Sequence, residues 1–147
     1  TRYENAFAAI PLLVSFIPML MDTGGNCGSQ SSTLIIRGIA LGEIQFSDLF
    51  RVMFKEFRVS LIVGVALALA NGIRILIMYK NAGLALVIGL SLVATIVISK
   101  LIGCVLPLIA KKLHMDPAIM ASPLITTLVD TCSILIYFNI ATQVFQL

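Results

Sequence analysis

The sequence predicts an all-α integral membrane protein, a helical bundle of four long transmembrane helices per chain. Three observations carry that expectation. Of 147 residues, 59% are hydrophobic and 12% charged, about half the charged share of a soluble domain. Four stretches stay apolar for the ~20 residues that a helix needs to cross a bilayer. The polar groups that interrupt them recur at helical spacing.

The first span, 6–36, is apolar at its start and polar in its middle, from Asp22 to Thr33. A lipid-facing helix would not tolerate that density of carboxylate, amide and hydroxyl groups. Asn26, Ser29 and Thr33 share one face, as do Asp22 and Asn26. Gly24 and Gly28 form a GxxxG pair, which lets a second helix approach closely. Pro11 and Pro18 are candidate kinks that free backbone carbonyls. The run lacks GxxxxGK[ST], so it is not a phosphate-binding loop. Ser31 and Ser32 read as an interhelical hydrogen-bond seam.

In the connection 38–58, Phe46, Phe50, Phe54 and Phe57 recur at helical spacing, with Arg51, Lys55 and Arg58 on the other side. Ser47 or Asp48 is placed to cap this segment. Two readings stand: an interfacial helix on the inner leaflet, or a continuation of the second span. The second span covers 59–78, with Arg74 near its outer end. The third covers 82–110 and carries Lys100, which would repel a cation if it faced an ion path. It is expected to snorkel toward the inner surface or to pair elsewhere in the assembly.

The fourth span, 118–145, contains the most telling residue. Asp130 is its one charged side chain, and an aspartate at the bilayer centre costs roughly 2.5–3.5 kcal/mol. Thr126 and Ser122 precede it at intervals of four, so a carboxylate and two hydroxyls share a face. That face suits a packed polar interior or a watery path for a cation.

Orientation follows from the basic residues. Arg37, Arg51, Lys55 and Arg58 lie in the first connection and Lys111 and Lys112 in the third; only Arg2 and Lys80 lie opposite. The positive-inside rule makes the first and third connections cytoplasmic and both ends external. The first apolar stretch lacks the features of a signal peptide, so a preceding span is expected. A multi-pass protein of the cell membrane results, with the lipid bilayer as its first partner and no nucleic acid.

The donor set narrows the chemistry. Cys27, Cys104 and Cys132 form no CxxC pair, and His114 stands alone in a loop. Hard oxygen and amide donors remain, and these favour Mg²⁺, Ca²⁺ or Mn²⁺. One Asp130 cannot neutralise a divalent ion, whereas two copies across a twofold axis can. A homodimer with a pore at that axis is therefore expected. Asp22 and Asp130 also allow an intramembrane aspartyl protease, but the Tyr-Asp and Gly-x-Gly-Asp contexts of those enzymes are absent. No enzymatic activity is expected.

The run from Pro18 through Asp22-Thr-Gly-Gly-Asn-Cys-Gly-Ser29 to Arg37 resembles the MgtE family of magnesium channels. So does the run from Asp116-Pro through Ser122-Pro-Leu-Ile-Thr126 to Asp130, and the likeness covers essentially the whole chain. The resemblance implies a homodimer with five transmembrane helices per subunit, regulated by cytoplasmic N-terminal and CBS domains and a plug helix. The first span and those domains are then expected outside this chain. It further implies that Asp130 from both subunits binds hydrated Mg²⁺. Ser29, Thr33, Ser122 and Thr126 would line the pore with Asn26, and Asp116 would offer a further metal position at the cytoplasmic mouth. Asp22 is the weakest candidate. Ser29, Ser122 and Thr126 differ from asparagine or alanine found in some members, which bears on selectivity. A secondary exchanger of divalent cations is the alternative to a channel.

Overall fold

The computed structural model describes residues 11–146. Their regular structure is helical throughout: α1 (Ile17–Ala40), α2 (Leu49–Tyr79), α3 (Ala82–Lys112) and α4 (Ser122–Phe145), with 3-10 turns at Phe46–Asp48 and Pro117–Met120. At 1.5 Å per residue the four helices are about 36–46 Å long, enough to cross a bilayer. By length and apolar composition together, three qualify as spans: α2 with its leading turn, α3 and α4. The remaining helix, α1, matches the first expected span and has the length, but its polar middle keeps it below that apolar standard.

The first span differs from its predicted limits. Residues 11–15 are helical, the chain turns at Phe16, and α1 then runs past position 36 to Ala40. Pro18 sits in the first turn of α1, where its missing N–H removes no helix bond. The expected kink is thus a helix break just before Pro18. The Tyr137 hydroxyl donates to the Leu13 carbonyl across 2.7 Å and ties this break to α4. Positions 6–10 of the predicted span lie outside the described residues.

Of the two readings for 46–58, the structure takes the continuation: α2 is one helix of 31 residues. Leu49, Val52 and Met53, with Phe46 ahead of them, pack onto Ile35, Ile39, Cys104 and Leu108. Phe50, Phe54 and Phe57 remain exposed. Asp48 does not cap α2 with its side chain; its carboxylate accepts from the Gln45 amide at 3.0 Å, closing the leading turn.

Helix α3 is the centre of the bundle and packs against α1, α2 and α4. A tight turn at Lys80, with φ of 52°, reverses the chain between α2 and α3. The Asn81 side chain then caps α3 by accepting from the Leu84 amide at 3.0 Å. One core cluster includes Leu20, Ile75, Leu84, Ile88, Leu92 and Tyr137.

Glycines set how closely α1 approaches its neighbours. A Cβ on Gly24 would lie 2.7 Å from the Thr95 methyl of α3 and 2.8 Å from Val129 of α4. A Cβ on Gly103 would run into the carbonyl oxygen of Gly28. The Gly24–Gly28 pair is therefore where α1 nests between α3 and α4, as its spacing suggested.

Candidate pore face

The polar middle of α1 divides by direction. Ser31 and Ser32 are buried and point into the bundle, while Asn26 and Thr33 are exposed and Ser29 half-buried. The seam expected of the two adjacent serines is present. Ser31 Oγ donates to Glu56 Oε2 at 2.6 Å, and Ser32 Oγ donates to the Met120 carbonyl at 2.5 Å.

Asn26, Ser29 and Thr33 share a face, as their helical spacing predicts, and the packing of α4 on α1 brings Ser122 to them. With Gln30 and Leu34 they line an open groove of about 640 Å³. Ser29 Oγ and Ser122 Oγ meet at 3.0 Å and bridge α1 to α4. Thr33 Oγ1 donates back to the Ser29 carbonyl at 2.9 Å, and Thr126 Oγ1 to the Ser122 carbonyl at 2.9 Å. Each of these two hydroxyl oxygens thereby spends its proton on its own helix. What it presents outward is a lone pair, which can accept from water or from a hydrated ion.

Thr126 and Asp130 continue along α4 beyond the groove. They stand about 6 and 12 Å from Ser122 along the helix axis. Thr126 sits where α1 and α4 touch; its methyl lies 3.2 Å from where a Cβ on Gly25 would be. Asp130 is half-buried, with no ion-pair partner among the described residues. Asp22 is exposed one turn from Asn26. Asp116 is exposed and caps the turn before α4, accepting from the Ala118 amide at 3.0 Å. Its second oxygen is free of that bond. Among the described residues no three His, Cys, Asp or Glu side chains gather closely enough to hold a metal. Cys27 and Cys104 are free and buried.

Two further polar positions join the predicted set. Gln30 lines the groove, and its signal was a second amide four residues after Asn26. Glu56 is buried and pairs with Lys100.

The match to known proteins takes in these helices and the rest of the bundle. Residues 17–140 match the MgtE profile, described as a divalent cation transporter. The chain belongs to the MgtE family. It is 40% identical over 140 residues to the magnesium transporter MgtE of Bacillus subtilis (strain 168), an alignment covering 95% of this chain and 31% of that protein. It is 36% identical to the magnesium transporter MgtE of Thermus thermophilus, again over 95% and 31% of the two chains. The magnesium transporter MgtE of Enterococcus faecalis is 34% identical over 97% of this chain and 32% of its own. The chain thus spans about a third of the length of the curated relatives it matches. Family membership and three helices long and apolar enough to cross a membrane fit a multi-pass membrane protein.

Proposed function

We propose that this chain forms half of a pore that conducts hydrated Mg²⁺ across the cell membrane, with a second copy closing the pore on a twofold axis. The observation that carries this reading is the groove of Asn26, Ser29, Gln30, Thr33 and Ser122 on the outside of an apolar bundle. Lipid cannot satisfy those groups, and a second identical face across a watery channel can. The names of the relatives support Mg²⁺ as the cargo.

The chemistry follows from what the face offers. Mg²⁺ gives up water reluctantly. Hydroxyl and amide oxygens at these positions accept hydrogen bonds from its water shell without replacing it. Asp130 supplies the charge, and its counterpart in the second copy brings the total to that of the ion. Thr126 lies between Asp130 and the groove and continues the line of acceptors. Asp116, at the start of the same segment, offers a carboxylate oxygen at the mouth.

Flux of the full-length protein in proteoliposomes tests the reading. Asp130→Asn keeps the shape and removes the charge, and Mg²⁺ flux is expected to fall by roughly tenfold or more while the dimer mass persists. Unchanged flux would remove Asp130 from the pathway, and a monomeric mass would remove the twofold pore. Discrete single-channel currents separate a channel from an exchanger, which would show only slow saturable flux.

A further inference from the structure

Behind the pore face, three helices meet at a buried ion pair. Lys100 Nζ of α3 lies 3.4 Å from Glu56 Oε2 of α2, with 8% and 9% of the two side chains exposed. Ser31 of α1 completes the cluster. Its hydroxyl donates to the same Glu56 oxygen at 2.6 Å and accepts from Lys100 Nζ at 3.2 Å. We infer that Glu56 and Lys100 are positioning residues for the pore: through Ser31 they fix the axial register of α1, and with it the spacing of the groove. This rests on the pore reading above.

The surroundings explain why such a device has work to do. On its α3 side, α1 makes backbone contact at Gly28 and Gly103, and Ser99 O lies 3.2 Å from where a Cβ on Gly28 would be. Two glycines allow close approach but offer no interlocking side chains, so they resist sliding and rotation weakly. A directional bond at Ser31 supplies that resistance. Ser31 lies two residues from Ser29 and from Thr33, so a shift of α1 at Ser31 moves both groove hydroxyls. On the other side, Ser29 meets Ser122 and Ser32 meets the Met120 carbonyl. The stretch 29–32 is thus held from α4 and from the scaffold at once. Charged pairs in an apolar interior add little net stability over a packed apolar pair, and their best-attested use is to specify register.

The test compares variants of the full-length protein in proteoliposomes, with Mg²⁺ and Ca²⁺ fluxes normalised to assembled dimer. Lys100→Met alone leaves a buried carboxylate and is expected to reduce the yield of folded protein. The informative variant is the double replacement Glu56→Met with Lys100→Met, which leaves no unpaired charge. It is expected to assemble, with Mg²⁺ flux per dimer lowered roughly tenfold and the Mg²⁺ to Ca²⁺ flux ratio lowered as well. The exchanged pair Glu56→Lys with Lys100→Glu restores a donor and an acceptor beside Ser31 and is expected to recover part of both. A double variant with wild-type flux and wild-type ratio overturns the inference, because the pair then only helps the bundle fold. Where the double variant fails to assemble, Ser31→Ala decides, since it keeps the ion pair and removes its bonds to α1: a lowered flux and ratio supports the inference, and wild-type values overturn it. Asp130→Asn in the same assay keeps the two readings apart: if that variant conducts normally, the pore assignment itself fails.

Discussion

Replacing Gly103 with alanine tests how tightly α1 is seated. The added Cβ would strike the Gly28 carbonyl oxygen and come within 3.1 Å of both Gly28 C and Ser31 Cβ. Two of those three atoms belong to the backbone of α1, so no side-chain rotation relieves the contact, and the helices must separate. Overpacking of this kind costs about 1–3 kcal/mol, and rigid backbone neighbours place Gly103→Ala near 3. Alanine gains about 0.8–1 kcal/mol over glycine in helix propensity, which leaves a net loss of about 2 kcal/mol. At ~2–4 °C per kcal/mol for a chain of this size, the melting temperature should drop by about 4–8 °C. Gly72→Ala is the matched control, since a Cβ there meets nothing within 4 Å, and it should melt at or slightly above wild type. The assay is the loss of monodisperse protein in detergent after heating, read by size-exclusion chromatography. If both variants melt alike, the Gly28–Gly103 approach is not a real constraint. Because the strain falls beside Ser31, Gly103→Ala should also lower Mg²⁺ flux while Gly72→Ala leaves it unchanged.

Thr126→Val should reduce flux less than Asp130→Asn, since it removes an acceptor and no charge; the order of the two in one liposome assay decides this. Tyr137→Phe should cost about 1 kcal/mol, seen as a small fall in melting temperature, because the Leu13 carbonyl keeps its bond from the Phe16 amide. With Cys132 replaced by serine, cysteines introduced at Gln45 and Leu113 should react with impermeant reagent from the cytoplasm only. One at Lys80 should react from outside only, and the reverse pattern would invert the topology inferred from the basic residues.

Helical spacing made most of the candidate pore face legible. Residues four apart on one helix share a face whatever the rest of the fold does, so Ser122, Thr126 and Asp130 needed only that the helix be unbroken. The same holds for Asn26, Ser29 and Thr33. Their meeting with Ser122 depends on how α1 and α4 are rotated against each other, and one chain's periodicity does not contain that angle. The segment 46–58 stayed open for a related reason. An amphipathic stretch has the same pattern whether it lies on a membrane or stands against the inner end of a bundle, and its apolar partners Ile35, Ile39, Cys104 and Leu108 come from two other helices.

Lys100 finds its counter-charge on the neighbouring helix. Snorkelling and a partner elsewhere in the dimer were the expected fates, and the structure gives a partner in the same chain. The reversal at Lys80 makes α2 and α3 an antiparallel hairpin. Residues equally far from that turn lie at equal depth, so Lys100, twenty residues after Lys80, stands opposite position 60. Glu56 is one helical turn further along, about 6 Å of rise, within the span of a lysine and a glutamate side chain. Among the four spans, a buried lysine requires a counter-charge, and α2 offers Glu56 at the one depth that suits. Counting from the turn puts the two charges within reach of each other across the hairpin. What it leaves open is the third member: Ser31 joins only because two glycines bring α1 into contact with α3, and that contact places the ion pair directly behind the candidate pore face.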